Sequence, residues 1–399
     1  MFSNKGISEK YWYFFVLIAG LLLCVFSLPE YKRVTFVFYA AVLLLSMIFV
    51  YQSEHIRNPL GNKILFSAGL FVIGAPMAFH EPTLSIDDHN YIQLFDNAGS
   101  FDDLFVYLGS SDQEKGYLFL TWLSNKITGG NYLIFQIIRT YLTFCFWGLA
   151  IRKFSKIGSG YIILLFIWSH FYFFVLNSGL YRIFMAIPLV YLSFYYLWTN
   201  EWKKFFLCLL FASLIHLSAL IILLFVPFSI NPKYFYKHWI RFLIITNFVV
   251  FVGLLSMAQY LVPILGDRYQ GYGEVDEFGM SIGTFTTLPI IIAVFYLYKQ
   301  HRYVIEYRKL FILGQIILSL SIIFSLVSSM VHVGRINFYA YIGFCIVMPI
   351  IIQTNTKGVV EFFLKSMLII YPLVYVMGTN MLNEAKTQLF PYVSFLFRI

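Results

Sequence analysis

Charge is the scarcest commodity in this 399-residue chain: Asp, Glu, Lys and Arg together make up 12%, against 60% hydrophobic residues. A soluble domain cannot hide so much apolar surface, and the mean hydropathy of +0.77 points the same way. Cysteine is nearly absent. Cys24, Cys145, Cys208 and Cys345 all fall inside apolar runs without CxxC spacing, which excludes a disulfide framework and a thiolate metal site. A Walker loop, a GxSxG elbow, an HExxH pair and a spaced Cys/His cluster are all missing, and His80, His89, His170 and His332 are too scattered to argue for a metal. Ten-residue alternating segments are lacking too, which argues against an outer-membrane barrel.

What is present is a series of apolar runs near 20 residues, the mark of an all-α, polytopic transmembrane helical bundle. Candidate spans cover residues 11–28, 34–52, 64–79, 132–151, 160–176, 183–198, 205–228, 242–260, 283–298, 310–331, 336–353 and 360–378, about 11 to 12 crossings in a single integral membrane domain, 1–399. The first run lacks a small-residue cleavage site and reads as a helix, not a removed signal. An internal repeat of the inverted-transporter kind is not evident. The net charge of +9 resides in short clusters between spans, where it acts as an orientation signal and not as a nucleic-acid surface. Lys5, Lys10, Arg57, Lys63, Arg152, Lys153, Lys156, Lys203, Lys204, Lys299, Arg302, Arg308 and Lys309 are expected to be cytoplasmic, with Lys32 and Arg33 a mild exception.

Three full crossings between Lys204 and Lys299 would place the strongest basic cluster on the wrong side. The preferred solution breaks 205–228 near His216 into two short helices that return to the cytoplasmic side, leaving Lys233, Lys237 and Arg241 inside. A weaker alternative is a partial crossing near 257–265. Irregular backbone at membrane depth survives only beside protein or a wet cavity, so the break itself marks a cavity. Two acidic loops then face outward. The first, 80–131, carries eight of the 19 carboxylates (Glu81, Asp87, Asp88, Asp96, Asp102, Asp103, Asp112 and Glu114), with a short re-entrant helix expected at 117–127; the second, 261–282, carries Asp267, Arg268, Glu274, Asp276 and Glu277.

Several residues in this frame are candidates for chemistry. Arg139 lies about seven residues, roughly 10 Å, inside its span, where a charge is costly unless it meets a partner or a wet cavity. Arg182 follows the turn 177–181, and Arg335 occupies the corresponding outer end of a later span; a planar guanidinium fork suits a diphosphate. His216 offers a base or an oxyanion donor, or it caps the helix break. Asp87, Asp88 and Glu114 offer carboxylates that take a proton from a sugar hydroxyl or bind one, the bland alternative for each being a solvated loop position.

In order along the chain stand Asp87, Asp88, Tyr91 and Phe95 after the third span, Glu114-Lys115-Gly116-Tyr117, Tyr181-Arg182 with Ala186, Lys203-Lys204 followed by 212–219 with His216, and Gly334-Arg335-Ile336-Asn337-Phe338-Tyr339. This set resembles the EpsG family, the Wzy-type polymerases of capsule, exopolysaccharide and O-antigen. The chain departs from that pattern at Lys115 and Ile183. The resemblance implies a GT-C-like membrane glycosyltransferase that polymerises undecaprenyl-diphosphate-linked oligosaccharide repeat units at the external face of the bacterial plasma membrane. It further implies Arg139, Arg182 and Arg335 as diphosphate ligands, His216, Asp87, Asp88 or Glu114 as the base or acceptor-positioning group, and Tyr91, Tyr117, Arg268 and Tyr339 as sugar or lipid contacts. The expected partners are the lipid-linked donor and acceptor, the bilayer and a chain-length regulator, with no nucleic acid, no cofactor and no divalent metal. A polysaccharide-to-lipid ligase and a flippase of lipid-linked sugars are the alternatives. A membrane acyltransferase is disfavoured because its arginines would be expected on the cytoplasmic side.

Overall fold

The computed structural model describes residues 7–82, 85–157, 159–227, 232–256, 282–301, 307–327 and 336–381, together with 392 and 394. Among these the chain forms sixteen α-helices and no strand. Glu30–His55, Pro59–Ala78, Tyr132–Phe154 and Val359–Thr379 are each long and apolar enough to cross a membrane, so the chain is an integral multi-pass membrane protein. Large apolar side chains such as Phe15, Leu22, Phe26, Phe71, Ile244 and Phe363 are exposed on the bundle's periphery, as lipid contact requires.

Helices run past the apolar stretches where polar residues cap them. α1 spans Ile7–Ser27, α2 Glu30–His55 and α3 Pro59–Ala78. α3 begins before its apolar run because the Asn58 side chain accepts from the backbone N–H groups of Leu60 and Gly61, and Pro59 needs no partner at the first helical position. α7, Tyr132–Phe154, is likewise capped by a side chain, that of Asn131, and starts where its apolar run does. The stretch between α3 and α7 holds three short helices: α4 (Asp88–Gly99), α5 (Leu104–Gly109) and α6 (Lys115–Thr128).

Two segments are buried along nearly all of their described residues and form the centre of the bundle. One is α8 (Gly160–Ile167), continued through a π-helical turn, Trp168–Tyr172, into α9 (Phe173–Ser178). The other is α15, Asn337–Ile352, packed on α14, Arg308–Val327. Glycine makes that contact close. A Cβ on Gly343 would lie 2.7 Å from the Leu318 backbone nitrogen and 2.8 Å from the Gly314 carbonyl, the small-residue approach that drives helix association in lipid.

Contacts between distant segments define two faces. Tyr307 lies 5.7 Å from Trp198 between ring centroids, its hydroxyl is 3.5 Å from the Lys156 carbonyl, and Gln353 donates to Ser159. These ends, together with Arg152, Lys153 and Lys204, form the basic face. At the opposite end Lys32 donates to the Met381 carbonyl, and His80 pairs with Ser394. That end carries α4 to α6 and is called the loop face.

α10 (Tyr181–Trp198) runs from the loop face to the basic face, and α11 (Trp202–Ile215) packs back along it. The break expected near His216 is present: His216 adopts φ −153° and ψ 112°, and a 3-10 helix, Leu217–Phe225, follows. His216 meets loop-face residues, yet the Phe225 ring lies 5.4 Å from that of Phe194, deep along α10. The chain therefore returns toward the face it came from. α12 (Pro232–Ser256) begins there, with Trp239 against Phe295 and Tyr298 of α13 (Ile282–His301), and Tyr298 accepting from Arg308. α16, Val359–Val376, closes the bundle and is held to α13 by the buried carboxylate of Glu361, which pairs with His301 and Lys365.

Candidate functional site

The N-terminus of α6, the first turn of α10 and the α11 break converge at the loop face. Glu114 precedes α6 but does not cap it; its carboxylate reaches outward instead. Oε2 pairs with Nη1 of Arg182, which also donates to the Gln113 side chain. Oε1 lies 2.9 Å from Nδ1 of His216 and 3.5 Å from the Leu217 backbone nitrogen. An ionised carboxylate only accepts, so Nδ1 carries the proton, and in the neutral ring Nε2 keeps the basic lone pair. Two residues beyond His216, Ser218 donates to the hydroxyl of Tyr339, which is buried at the start of α15.

Gly116 lets these elements meet. A Cβ there would stand 2.7 Å from both the Cβ and the carbonyl oxygen of Leu214, so the start of α6 rests directly on the backbone at the end of α11. Gly179 does the corresponding work on the other side. It takes a left-handed φ of +71° to end α9, and the space a side chain would need is filled by Asp87.

Beneath this layer lies a second, closed network. Asp88 is buried: Oδ1 accepts from the Tyr181 hydroxyl at 2.9 Å, and Oδ2 accepts from the Ser85 backbone at 2.7 Å. The Tyr181 hydroxyl is also 2.9 Å from His80 Nε2, and Gln136 donates to the His80 carbonyl. Arg139 lies against the face of Tyr181, 3.5 Å from the ring centroid, with Tyr91 and Phe135 at 5.5 and 5.3 Å. It is 1% exposed, and besides these rings it faces the hydroxyls of Tyr117 and Tyr132. Ring faces therefore carry much of the compensation for its charge.

Glu114 is only partly buried and titrates outside the spans. Burial pushes its carboxyl up, but the hydrogen bond to His216 and the charge of Arg182 outweigh that and hold it at about 2, against an ordinary 4.5. A depressed carboxylate contributes stability that is complete above its unfolded value and is lost as pH falls through the folded one. The shift corresponds to something on the order of 3 kcal/mol. Wild type should therefore melt above Glu114→Gln at neutral pH, with the gap constant down to about pH 4.5 and closing as pH falls toward about 2. Melting curves of both proteins in detergent test this; a gap unaffected by acid would mean that the charge on Glu114 contributes nothing.

Of the positions singled out by sequence, Glu114, Arg182 and His216 come together, and Tyr339 joins them through Ser218. Asp87, Tyr91 and Arg182 line a polar cleft of about 420 Å³, and Tyr117 packs under Tyr91 and Arg182. Asp88 and Arg139 lie inside the wall below, where Tyr181 and Ser85 occupy the carboxylate and aromatic faces enclose the guanidinium. The diphosphate contact expected of Arg139 would thus have to reach an enclosed group. Arg268 and Arg335, with the loop 261–282 up to residue 281 and the turn 332–335, lie outside the described residues. Sequence reasoning missed Gln113 and Ser218 and weighed His80 only as a metal ligand; Gln113, adjacent to Glu114, carried a hint. Among the described residues no group of three or more His, Cys, Asp or Glu side chains is placed to hold a metal ion.

A family model described as the EpsG family matches residues 63–394. No curated protein and no solved structure matches the chain.

Proposed function

The chain belongs to the EpsG family, which is associated with exopolysaccharide synthesis, and from that membership we propose that it is a glycosyltransferase polymerising undecaprenyl-diphosphate-linked oligosaccharide repeat units. The observation that carries this reading is the bridge made by Glu114 between a guanidinium and an imidazole at the edge of a polar cleft. The basic clusters favour a cytoplasmic basic face, which turns the loop face and its cleft outward.

In the proposed reaction a hydroxyl oxygen of the acceptor sugar attacks the anomeric carbon of the donor repeat unit. The new glycosidic C–O bond forms as the bond from that carbon to the lipid diphosphate breaks, and the electron pair departs with the diphosphate. Nε2 of His216 takes the hydroxyl proton as general base. Glu114 fixes the tautomer that leaves Nε2 available and stabilises the imidazolium that forms. Arg182 faces the negative charge that grows on the departing diphosphate, a role suited to a fixed cation at a partly desolvated site.

Arg182→Ala is expected to reduce the polymer ladder to single repeat units without affecting membrane insertion. Arg182→Lys should restore only part of the ladder, because lysine keeps the charge and loses the fork. Gel analysis of surface polysaccharide from cells carrying each variant reads the outcome, and a wild-type ladder in Arg182→Ala would overturn the assignment. A flippase would make no glycosidic bond, so purified protein in proteoliposomes that lengthens lipid-linked repeat units distinguishes the two activities directly.

A further inference from the structure

α4 turns an unusual stripe toward the cleft. Asp88, Tyr91, Phe95 and Ala98 form its buried side, and Asn90, Gln93 and Asn97 follow one another at helical spacing on the exposed side, all three lining the cleft with Gln113. The polar face of a surface helix is ordinarily rich in Lys, Glu and Arg. Here the cleft-lining positions are carboxamides, and among the described residues the side chains of Asn90, Gln93 and Asn97 make no hydrogen bond. Asp87 adds one acceptor at the start of the helix, and Tyr91 and Leu94 add apolar surface between the amides.

Building on the polymerase reading above, we propose that this cleft binds the sugar portion of the lipid-linked repeat unit and selects neutral, hydroxyl- or acetamido-bearing sugars over uronic acids. Each carboxamide offers two N–H donors and a carbonyl acceptor, which match the adjacent donor and acceptor groups of a vicinal diol or an acetamido substituent. Charged side chains would bind one ionic form and resist the rest, whereas amides read hydroxyl geometry without imposing a sign. Asp87 opposes a sugar carboxylate, and the one cation lining the cleft among the described residues, Arg182, is assigned above to the departing diphosphate. Asn90 and Asn97 are seven residues apart, about 10 Å along the helix, so the stripe extends beyond the reacting group and holds sugars that do not react. The volume of about 420 Å³ falls within the range of small-ligand sites. Binding remote from the reacting carbon holds the matching repeat unit equally before and during transfer and so lowers its KM, which gives a polymerase a means of accepting its own repeat unit and rejecting others.

The probe is the oligosaccharide released by mild acid from the lipid fraction of cells lacking this chain. Its sugar composition is determined first: a repeat unit rich in uronic acid overturns the substrate class. Saturation-transfer NMR then measures its binding to the purified full-length protein and to the double variant Asn90→Leu, Asn97→Leu. Both positions are exposed, and matching melting curves serve as the folding control. Loss of two hydrogen bonds predicts binding weaker by about ten-fold or more. In the polymerase assay the same variant should show a KM raised by a similar factor with kcat little changed. Equal binding and equal KM in wild type and variant overturn the proposal, as does a fall in kcat alone. The two readings separate through Arg182→Ala. If that variant stops elongation while the amide variant behaves as wild type, the cleft proposal fails alone; if the cleft binds the oligosaccharide and Arg182→Ala still elongates, the polymerase assignment of Arg182 fails alone.

Discussion

Glu114→Ala is expected to lower the rate of repeat-unit transfer by about 10³-fold while leaving a folded, inserted protein, because it disables two functions at once. Without the carboxylate nothing holds the proton on Nδ1 of His216, so the ring is free to present its protonated nitrogen to the acceptor hydroxyl. Arg182 loses its anionic partner in the same step and keeps the neutral Gln113 and Tyr91, which leaves a partly buried guanidinium without a counter-charge among the described residues. Glu114→Gln should fall between wild type and alanine, since an amide oxygen still accepts one hydrogen bond but supplies no charge. The three residues act as a unit, so Glu114→Ala combined with Arg182→Ala should be much less than multiplicative in its effect. Turnover of lipid-linked repeat units in proteoliposomes is the measurement. Activity of the alanine variant within ten-fold of wild type would remove Glu114 from the mechanism.

Gly116→Val is expected to cost about 10²-fold in rate although residue 116 touches no reacting atom, since a displacement of about 1 Å is enough to spoil an aligned site. The added Cβ would fall 2.7 Å from the Leu214 carbonyl oxygen and 2.9 Å from its carbonyl carbon, and backbone cannot rotate away as a side chain tip can. α6 must then lift from the end of α11, carrying Glu114 away from His216. Gly116→Ala places the same atom and should show most of the effect. Shortening Leu214 to alanine keeps its Cβ and its backbone, the atoms that clash, and should rescue little. The expected pattern is a drop in kcat with modest loss of melting temperature; unchanged kcat would show that the two helix ends are not in close register.

The spans were legible because lipid enforces long apolar runs, but hydropathy cannot register polar turns at their ends: α3 starts earlier than its run at the Asn58 cap and α2 extends past both ends of its run, whereas α7 starts at Tyr132 as expected. The break at His216 was legible for a different reason: charge parity demanded a segment that does not cross, and a lone histidine flanked by apolar residues marked the place. Burial within 80–131 was not legible. Asp87 and Asp88 look alike in sequence, yet one lines the cleft and the other is sealed by Tyr181, 93 residues away. The same distance problem hid the pairing of Glu114 with His216, 102 residues apart, although both were singled out. The pattern of Tyr91, Phe95 and Ala98 was a helical signal that an acid-rich stretch obscured.

The out-and-back path from Trp202 to Phe225 contributes no net crossing. Every helix after Pro232 would therefore keep its orientation if this hairpin were lengthened, exchanged or replaced by that of another chain. A crossing helix has no such freedom, since its loss inverts everything downstream. The segment that delivers His216 is thus insulated from the topology of the bundle, and in an evolving lineage it can be remodelled by whole-segment replacement without the compensating changes in flanking charge that any other span would require.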